Sequence, residues 1–384
     1  VSRVEGKPIA TGSLVDLTKI VLVGQTPPPH GGQAIIIERM LSSEWNNAKL
    51  FHIRMSFMKS MEDRAKPSAR KIFHLLEIIF RIIISRFKTG ARVLYFPPGN
   101  SPRSTIYRDL ILLACTRPFF SKTILHFHAA GISDTAVSLK SYERLLIRMI
   151  LGRPDLTITS SEFNPKDGEF LHAKRNVIIP LGLPDIFPPQ TAHRAYNKDG
   201  ALNLLFLGLM NGTKGEGRIV EALGILRDSG RKIKLRLAGS FETKEYEDQF
   251  WKRVNSLKLS DVVEYLGVVS GQSKMDSFLN SDILCFPSTF QSESFGVVLI
   301  EGMQAYMPLI ATRWRGIQSA IKDGETGFLV SPDSPQELAS KIAFFSDNPN
   351  EIAAFGRAGN VFYHEKFTWE KFIDSLNSEF KRLA

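Results

Sequence analysis

Short runs of aliphatic and aromatic residues recur along the chain. Each ends near a Gly, Pro or Ser and is followed by a stretch with helical spacing. In the first half, Ile20-Val-Leu-Val-Gly24, Arg92-Val-Leu-Tyr-Phe96, Thr123-Ile-Leu-His-Phe-His128 and Leu156-Thr-Ile-Thr159 predict buried strands. After Gly24 come Pro27-Pro-Pro-His-Gly31-Gly32-Gln and a helix starting near Ala34. Strand, glycine-bearing loop and helix in that order open a doubly wound α/β unit. The G-x-G-x-x-G dinucleotide spacing is absent. Strands alternating with helices predict a parallel sheet.

The pattern then restarts. Val177-Ile-Ile-Pro-Leu-Gly182-Leu-Pro184 closes the first half, and Pro184 to Pro189 with the polar 190–200 stretch predicts a linker. Leu202–Gly208, Lys234–Gly239, Val263–Gly267, Asp282–Phe286 and Leu309–Ala311 predict the strands of a second domain. We expect one domain over 1–186, a second over 200–365 and a helical tail over 366–384. Residues 1–17 are mixed in character and expected to be poorly ordered.

One segment fits the pattern less simply. Arg70 to Lys88 is apolar on most sides and carries five cations and one acid. It reads either as a core-packed helix of the first domain or as a membrane-surface helix reaching a lipid-linked acceptor.

At 384 residues two domains are the default. An apolar content of 43% and a charged content of 23% are ordinary for a globular protein. The only cysteines, Cys115 and Cys285, lie in apolar runs without metal-ligand spacing, which points to a reducing, cytoplasmic setting. No run of eighteen apolar residues predicts a membrane-spanning helix, and the first residues lack a signal-peptide core. The net charge of +10 admits phosphorylated ligands or an anionic membrane surface. Nucleic acid is not expected, because no RNP-type run, zinc finger or helix-turn-helix signature is present.

The chemistry concentrates in Glu293-Ser-Phe-Gly-Val-Val-Leu-Ile-Glu301. A loop brings Glu293 to the start of an apolar helix. The helix N-terminus suits an anion such as phosphate, and a carboxylate suits hydroxyl donors such as sugars. Glu301 lies about one turn beyond Val297 and can face the same ligand. Glutamates eight apart also occur on ordinary helices, so the spacing alone does not decide. Lys214, in Gly208-Leu-Met-Asn-Gly-Thr-Lys214-Gly215, can act as counter-charge to a diphosphate cradled by the loop, or as a solvated surface lysine.

Taken with its surroundings, this stretch resembles the Glu-x7-Glu motif of glycosyltransferase family 4, a group of retaining enzymes with the GT-B fold. Phe206–Gly208 through Lys214-Gly215 is similar to the family's phosphate loop. Pro308–Ile317 is similar to its strand and Gly-rich turn, Asp323–Val330 to its D-G-x-x-G-x-L-V hairpin, and Ser331–Ala339 to its next helix start. The match is dense over about 200–345. The resemblance implies two Rossmann-like domains facing across a cleft, with the tail returning to the first. It implies a nucleotide sugar held by the second domain and a glycan or lipid-linked acceptor on the first.

By the same resemblance, Glu293 and His128 are the catalytic candidates, Glu293 orienting sugar hydroxyls and His128 contacting the transferred sugar. Gly31, Gly32, Lys214, Phe295, Gly296, Val297, Val298 and Glu301 are the donor-binding candidates, with Glu301 on the ribose. His128 can equally be a histidine satisfied by backbone groups, and Gly31 and Gly32 can equally form a simple turn. No Asp-x-Asp motif stands out, so we expect neither a metal nor a cofactor beyond the nucleoside-diphosphate sugar as substrate. Leu209 departs from the family, which usually has Arg directly after the first loop glycine. Arg313 and Arg315 are the candidate replacements. Two other readings stay open: a degenerate GT-B binding protein without turnover, and a nucleotide-sugar epimerase-like enzyme.

Overall fold

The computed structural model describes residues 17–28, 31–57, 69–100, 102–198 and 200–383. The stretch expected to be poorly ordered lies almost wholly outside them. The first sheet is built from β1 (Thr18–Gly24), β2 (Ala48–Arg54), β3 (Val93–Phe96), β4 (Lys122–Phe127), β5 (Leu156–Thr159) and β6 (Asn176–Ile178). All pair in parallel, in the order β2-β1-β3-β4-β5-β6. Its helices are α1 (Gly32–Leu41), α2 (Ala69–Thr89), α3 (Arg103–Thr116), α4 (Ile132–Ser138), α5 (Ser141–Ile150) and α6 (Asp167–Phe170).

The second sheet contains β7 (Leu202–Leu207), β8 (Ile233–Ala238), β9 (Val263–Gly267), β10 (Ile283–Phe286), β11 (Leu309–Thr312) and β12 (Gly327–Val330). These are also parallel, in the order β12-β11-β10-β7-β8-β9. Its helices are α7 (Glu216–Leu226), α8 (Lys244–Ser256), α9 (Gly271–Leu279), α10 (Val297–Gln304), α11 (Pro335–Asp347) and α12 (Pro349–Lys366), followed by α13 (Trp369–Arg382).

Two elements differ from the sequence expectation. β2 was not foreseen, because Lys49, His52 and Arg54 interrupt its apolar residues. As an edge strand it buries only Ala48 and Ile53 completely. Residues 323–330 do not form a hairpin. Asp323 accepts the Leu329 N–H at 2.9 Å and closes a turn, after which β12 joins β11 in parallel.

Strand alternation divides the first core into two layers. Ile20, Leu22, Val93, Tyr95 and Ile124 point toward α1 and α13. Val21, Val23, Leu94, Phe96 and Leu125 point toward α2, α3 and α5. In α2, Leu75, Ile78, Ile79 and Ile82 are buried, whereas Ile72, Phe73, Leu76, Phe80 and Phe87 are exposed. The helix is therefore core-packed on one side and apolar to solvent on the other, which neither sequence reading described.

The segment joining the two sheets is pinned rather than loose. The Arg194 guanidinium donates to the carbonyls of Ala305 at 2.8 Å and Phe278 at 3.1 Å, and also to that of Ser281. Tyr196 donates to the Tyr306 carbonyl at 2.8 Å. At the other end, α13 lies on the first sheet. Thr18 donates to the Phe380 carbonyl at 3.0 Å, Trp369 donates to Ser43 Oγ at 3.0 Å, and Arg175 pairs with Glu379 at 2.9 Å. Phe372, Leu376 and Phe380 are buried there. Each contributes roughly 1.5–3 kcal/mol of hydrophobic stabilisation.

Gly182 makes this docking possible, since a Cβ there would lie 2.3 Å from the Thr368 carbonyl oxygen and 2.8 Å from Phe372 Cβ. Gly182→Ala should destabilise the protein by about 1–3 kcal/mol and speed hydrogen exchange across 369–382. Unchanged exchange in that helix would mean that the close approach of strand end and tail is dispensable.

Candidate functional site

Loops at the carboxyl ends of both sheets meet around residues 288–296. β10 runs into the buried Pro287-Ser288, and Gly296 turns the chain into α10 with φ of 87°. A Cβ at Gly296 would stand 3.1 Å from both Phe286 and Leu299, so glycine fits for space as well as for backbone angle. Phe295 is buried beneath the turn, with its ring 5.3 Å from that of Phe367.

Ser294 is held by the first domain. Its carbonyl accepts from Ser160 Oγ at 2.8 Å and Asn164 Nδ2 at 2.9 Å, and its hydroxyl donates to the His128 carbonyl at 2.6 Å. Ser292 donates to Asn100 Oδ1 at 2.8 Å. Gly316 lies so close that a Cβ would be 1.8 Å from the Ser294 carbonyl oxygen.

This loop presents Glu293 to Lys214, with Nζ and Oε2 2.6 Å apart and both side chains mostly buried. The lysine is fixed from below. Thr289 N–H donates to the Thr213 carbonyl at 2.8 Å, and Gly215, with φ of 93°, would place a Cβ 2.2 Å from the Pro287 carbonyl oxygen. Lys214 Nζ also sits 4.3 Å from the Phe290 ring centroid. Sequence reasoning treated Lys214 and Glu293 as separate features; the structure makes them one ion pair.

Glu301 belongs to a second pair. Its Oε1 is 2.6 Å from Lys274 Nζ, on α9. Lys274 lies 27 residues away in an ordinary polar helix, and nothing in the sequence pattern marked it.

Gly32 and Val297 come together across the two domains: a Cβ on Gly32 would be 3.4 Å from Val297 Cγ2. Both residues begin helices, α1 and α10, and neither helix has an acid in its first turn. The first N–H groups of a helix have no intrahelical acceptor, so two positive helix ends converge here. Val298 is buried, and its N–H is among the first of α10, which have no intrahelical acceptor. Gly31 precedes α1 and has open space around it.

His128 lies beyond β4, stacked on His126 with ring centroids 4.0 Å apart. Tyr95 Oη is 2.5 Å from His126 Nδ1 and 3.5 Å from His128 Nε2. Burial pulls the His128 pKa down to about 4 and that of His126 well below the usual imidazole range, helped by its neighbour. Both rings are neutral at physiological pH. A neutral imidazole can exchange hydrogen bonds with a hydroxyl but supplies no charge.

The two arginines considered as replacements at the diphosphate are engaged elsewhere. Arg313 pairs with Asp323 at 2.7 Å. Arg315 pairs with Asp134 at 2.8 Å and donates to the Ala130 carbonyl at 3.2 Å, tying together the two domains. Leu209 is half-buried beside the glycine loop. Among the described residues, no group of three His, Cys, Asp or Glu is placed to hold a metal ion.

Residues 190–361 match the family described as Glycosyl transferases group 1. D-inositol 3-phosphate glycosyltransferase of Streptomyces scabiei (strain 87.22) is 29% identical over 221 residues, covering 56% of this chain and 44% of that protein. The protein of the same name from Pseudarthrobacter chlorophenolicus is 33% identical over 172 residues, 44% of this chain and 40% of its own length. The match thus spans less than half the length of these relatives. Among solved structures, Anabaena HepE in complex with UDP superposes with a TM-score of 0.71 at 16% identity, covering 95% of this chain and 100% of that one. Sucrose-phosphate synthase from Thermosynechococcus elongatus superposes with a TM-score of 0.72 at 17% identity, over 95% and 99%. The architecture is GT-B.

The histidine pair predicts a pH dependence of stability. The folded His128 pKa lies below its unfolded value, so the unfolded chain takes up the proton first as pH falls. Stability is lost from the unfolded pKa of about 6.5 down to the folded value of about 4. His128→Gln should therefore show a smaller drop in Tm than wild type between about pH 7 and about pH 5. Equal drops would show that the buried neutral ring does not carry this linkage.

Proposed function

From the match of residues 190–361 to the group 1 glycosyl transferases, we propose that the chain is a retaining glycosyltransferase using a nucleoside-diphosphate sugar without a divalent metal. The observation that carries the proposal is the Lys214–Glu293 pair beside the N-terminus of α10. A cation and helix N–H groups suit a diphosphate, and the adjacent carboxylate suits sugar hydroxyls. The acceptor, a glycan or a lipid-linked sugar, would approach from the first domain, past Gly31, Gly32 and His128. The product would be a surface glycan or glycolipid.

In this reading Lys214, the main-chain groups of Phe295 to Val298 and the helix dipole stabilise the leaving diphosphate. The bond from the sugar's anomeric carbon to the phosphate oxygen breaks, and the acceptor oxygen bonds to that carbon on the same face. The acceptor's proton passes to a donor phosphate oxygen. Glu293 orients the transferred sugar and Glu301 binds the ribose hydroxyls, each released in part from its lysine. His128, neutral, hydrogen-bonds the sugar. A binding protein without turnover or an epimerase-like enzyme would also hold the nucleotide. Transfer of labelled sugar to an acceptor separates them from a transferase.

Lys214→Ala removes a charged partner and leaves Glu293 unpaired beside the anion. Affinity for UDP or GDP should fall about ten- to a hundredfold, corresponding to roughly 1.5–3 kcal/mol. Unchanged affinity by calorimetry would remove Lys214 from the diphosphate site. Glu293→Gln should depress transfer more than nucleotide binding, whereas Glu301→Gln should weaken both. Equal effects of the two on free nucleotide would reverse or erase their assignment.

Turnover should survive EDTA, since helix N–H groups and Lys214 are assigned the role a bridging cation would play. Full loss in EDTA, restored by Mn²⁺ or Mg²⁺, would show that the diphosphate is neutralised by metal.

A further inference from the structure

The outer side of the first domain carries an apolar surface that its own core does not use. On α2 the buried stripe is Leu75, Ile78, Ile79 and Ile82. A second stripe, Phe73, Leu76, Phe80 and Phe87, follows helical spacing on the solvent side, with Phe73 72% and Phe80 64% exposed. α2 packs on α3, and α3 on α5. α5 exposes Tyr142, Leu145 and Met149, and α3 exposes Ile111. The layer is tied together at its surface. Arg86 Nε donates to the Phe119 carbonyl at 2.8 Å, the Phe87 and Phe119 rings are 6.1 Å apart, and Arg117 donates to the Ile150 carbonyl at 2.5 Å. A patch spread over three helices exceeds the scattered apolar residues of an ordinary surface.

Its charge says what covers it. α2 contributes Arg70, Lys71, Arg81, Arg86 and Lys88 against the single acid Glu77. α3 and α5 add Arg103, Arg144 and Arg148, while Arg108 is taken up by Asp109. Their acids are turned inward: Asp109 is buried against Arg108 and the Gly99 N–H, and Glu143 is buried against Tyr107 and the Lys140 N–H. Apolar side chains among cations, with the acids withdrawn, complement an anionic lipid surface. Among the described residues no helix is long and apolar enough to cross a membrane.

We propose that the outer face of α2, α3 and α5 docks the protein on an anionic lipid bilayer. Topology adds a consequence. α3 begins seven residues after β3 ends, and the stretch between them carries Asn100, the acceptor for the Ser292 hydroxyl. The docked face therefore borders the candidate site at the amino end of α3. A lipid-linked acceptor lying in the bilayer could reach the site over that rim. The docking itself does not depend on the transferase reading; only this delivery does.

The test is co-sedimentation of the full chain with phosphatidylcholine vesicles, with and without phosphatidylglycerol. Binding should require the anionic lipid and fall as salt rises. Arg81→Glu combined with Lys88→Glu should weaken it about twentyfold or more, from about fivefold per cation lost. Phe73→Gln combined with Phe80→Gln should weaken it at least about tenfold. Nucleotide binding by both variants should match wild type, which shows that they fold and keeps the lipid result separate from the catalytic one. Absence of vesicle binding by wild type, or binding indifferent to both variants, would overturn the proposal. So would a dimer in sedimentation velocity that dissolves on changing Phe73 and Phe80, since a second copy would then be what covers the face.

Discussion

The position of one peptide group, that of Ser294, governs the candidate site. Its carbonyl accepts two hydrogen bonds from Ser160 and Asn164, its side chain donates to the His128 carbonyl, and Gly316 leaves room for it by having no Cβ. The donors come from the first domain and the peptide from the second. Each bond contributes only about 0.5–1.5 kcal/mol, but a buried carbonyl left without its donors costs more, about 1–3 kcal/mol. The two sheets are thus held in one relative position at the residue next to Glu293 and two before Gly296. Arg315, bonded to Ala130 and Asp134, reinforces the same junction.

Pairing each motif carboxylate with a lysine has an electrostatic reason. Glu293 and Glu301 lie in mostly buried positions, where an unpaired charge would cost several kcal/mol. A lysine at 2.6 Å gives each carboxylate a counter-charge and aims it. It also leaves the site close to neutral when empty, so an incoming diphosphate meets no net negative field. A ligand bringing phosphate to Lys214 and hydroxyls to Glu293 replaces one interaction with two without stranding either charge.

Much of this was legible in the sequence, for physical reasons. Strands of a doubly covered parallel sheet are largely apolar, so the runs Ile20–Val23, Val93–Phe96, Leu204–Leu207, Ile283–Phe286 and Leu309–Ala311 stand out within β1, β3, β7, β10 and β11. Gly215 and Gly296 adopt positive φ at the starts of helices, and a glycine-bearing loop before a helix is a local signal. What escaped was non-local or at an edge. β2 is an edge strand with charged residues facing out. Lys274 is recognisable only through a contact made by folding. The hydrogen bonds to Ser294 come from residues more than a hundred positions away. The sequence offered the core face and the surface face of α2 as alternatives, because periodicity cannot separate two apolar stripes on one helix, and the structure has both.

Leu209 poses a question that the converging helix ends help to answer. An arginine after the first loop glycine would bring a full positive charge, and its side-chain substitutes, Arg313 and Arg315, are bound to Asp323 and Asp134. What remains at the junction is Lys214 and the N-termini of α1 and α10, each worth about half a unit of positive charge and neither offset by an acid in its first turn. Two such ends approach the electrostatic value of one missing cation. Unlike a long flexible side chain, they are fixed by the backbone and lose no rotamer entropy when an anion arrives. The same argument makes the contact between Gly32 and Val297 consequential. A Cβ at 32 would meet Val297 Cγ2 at 3.4 Å, an ordinary contact, so alanine fits there and only a larger side chain would crowd the two helix ends.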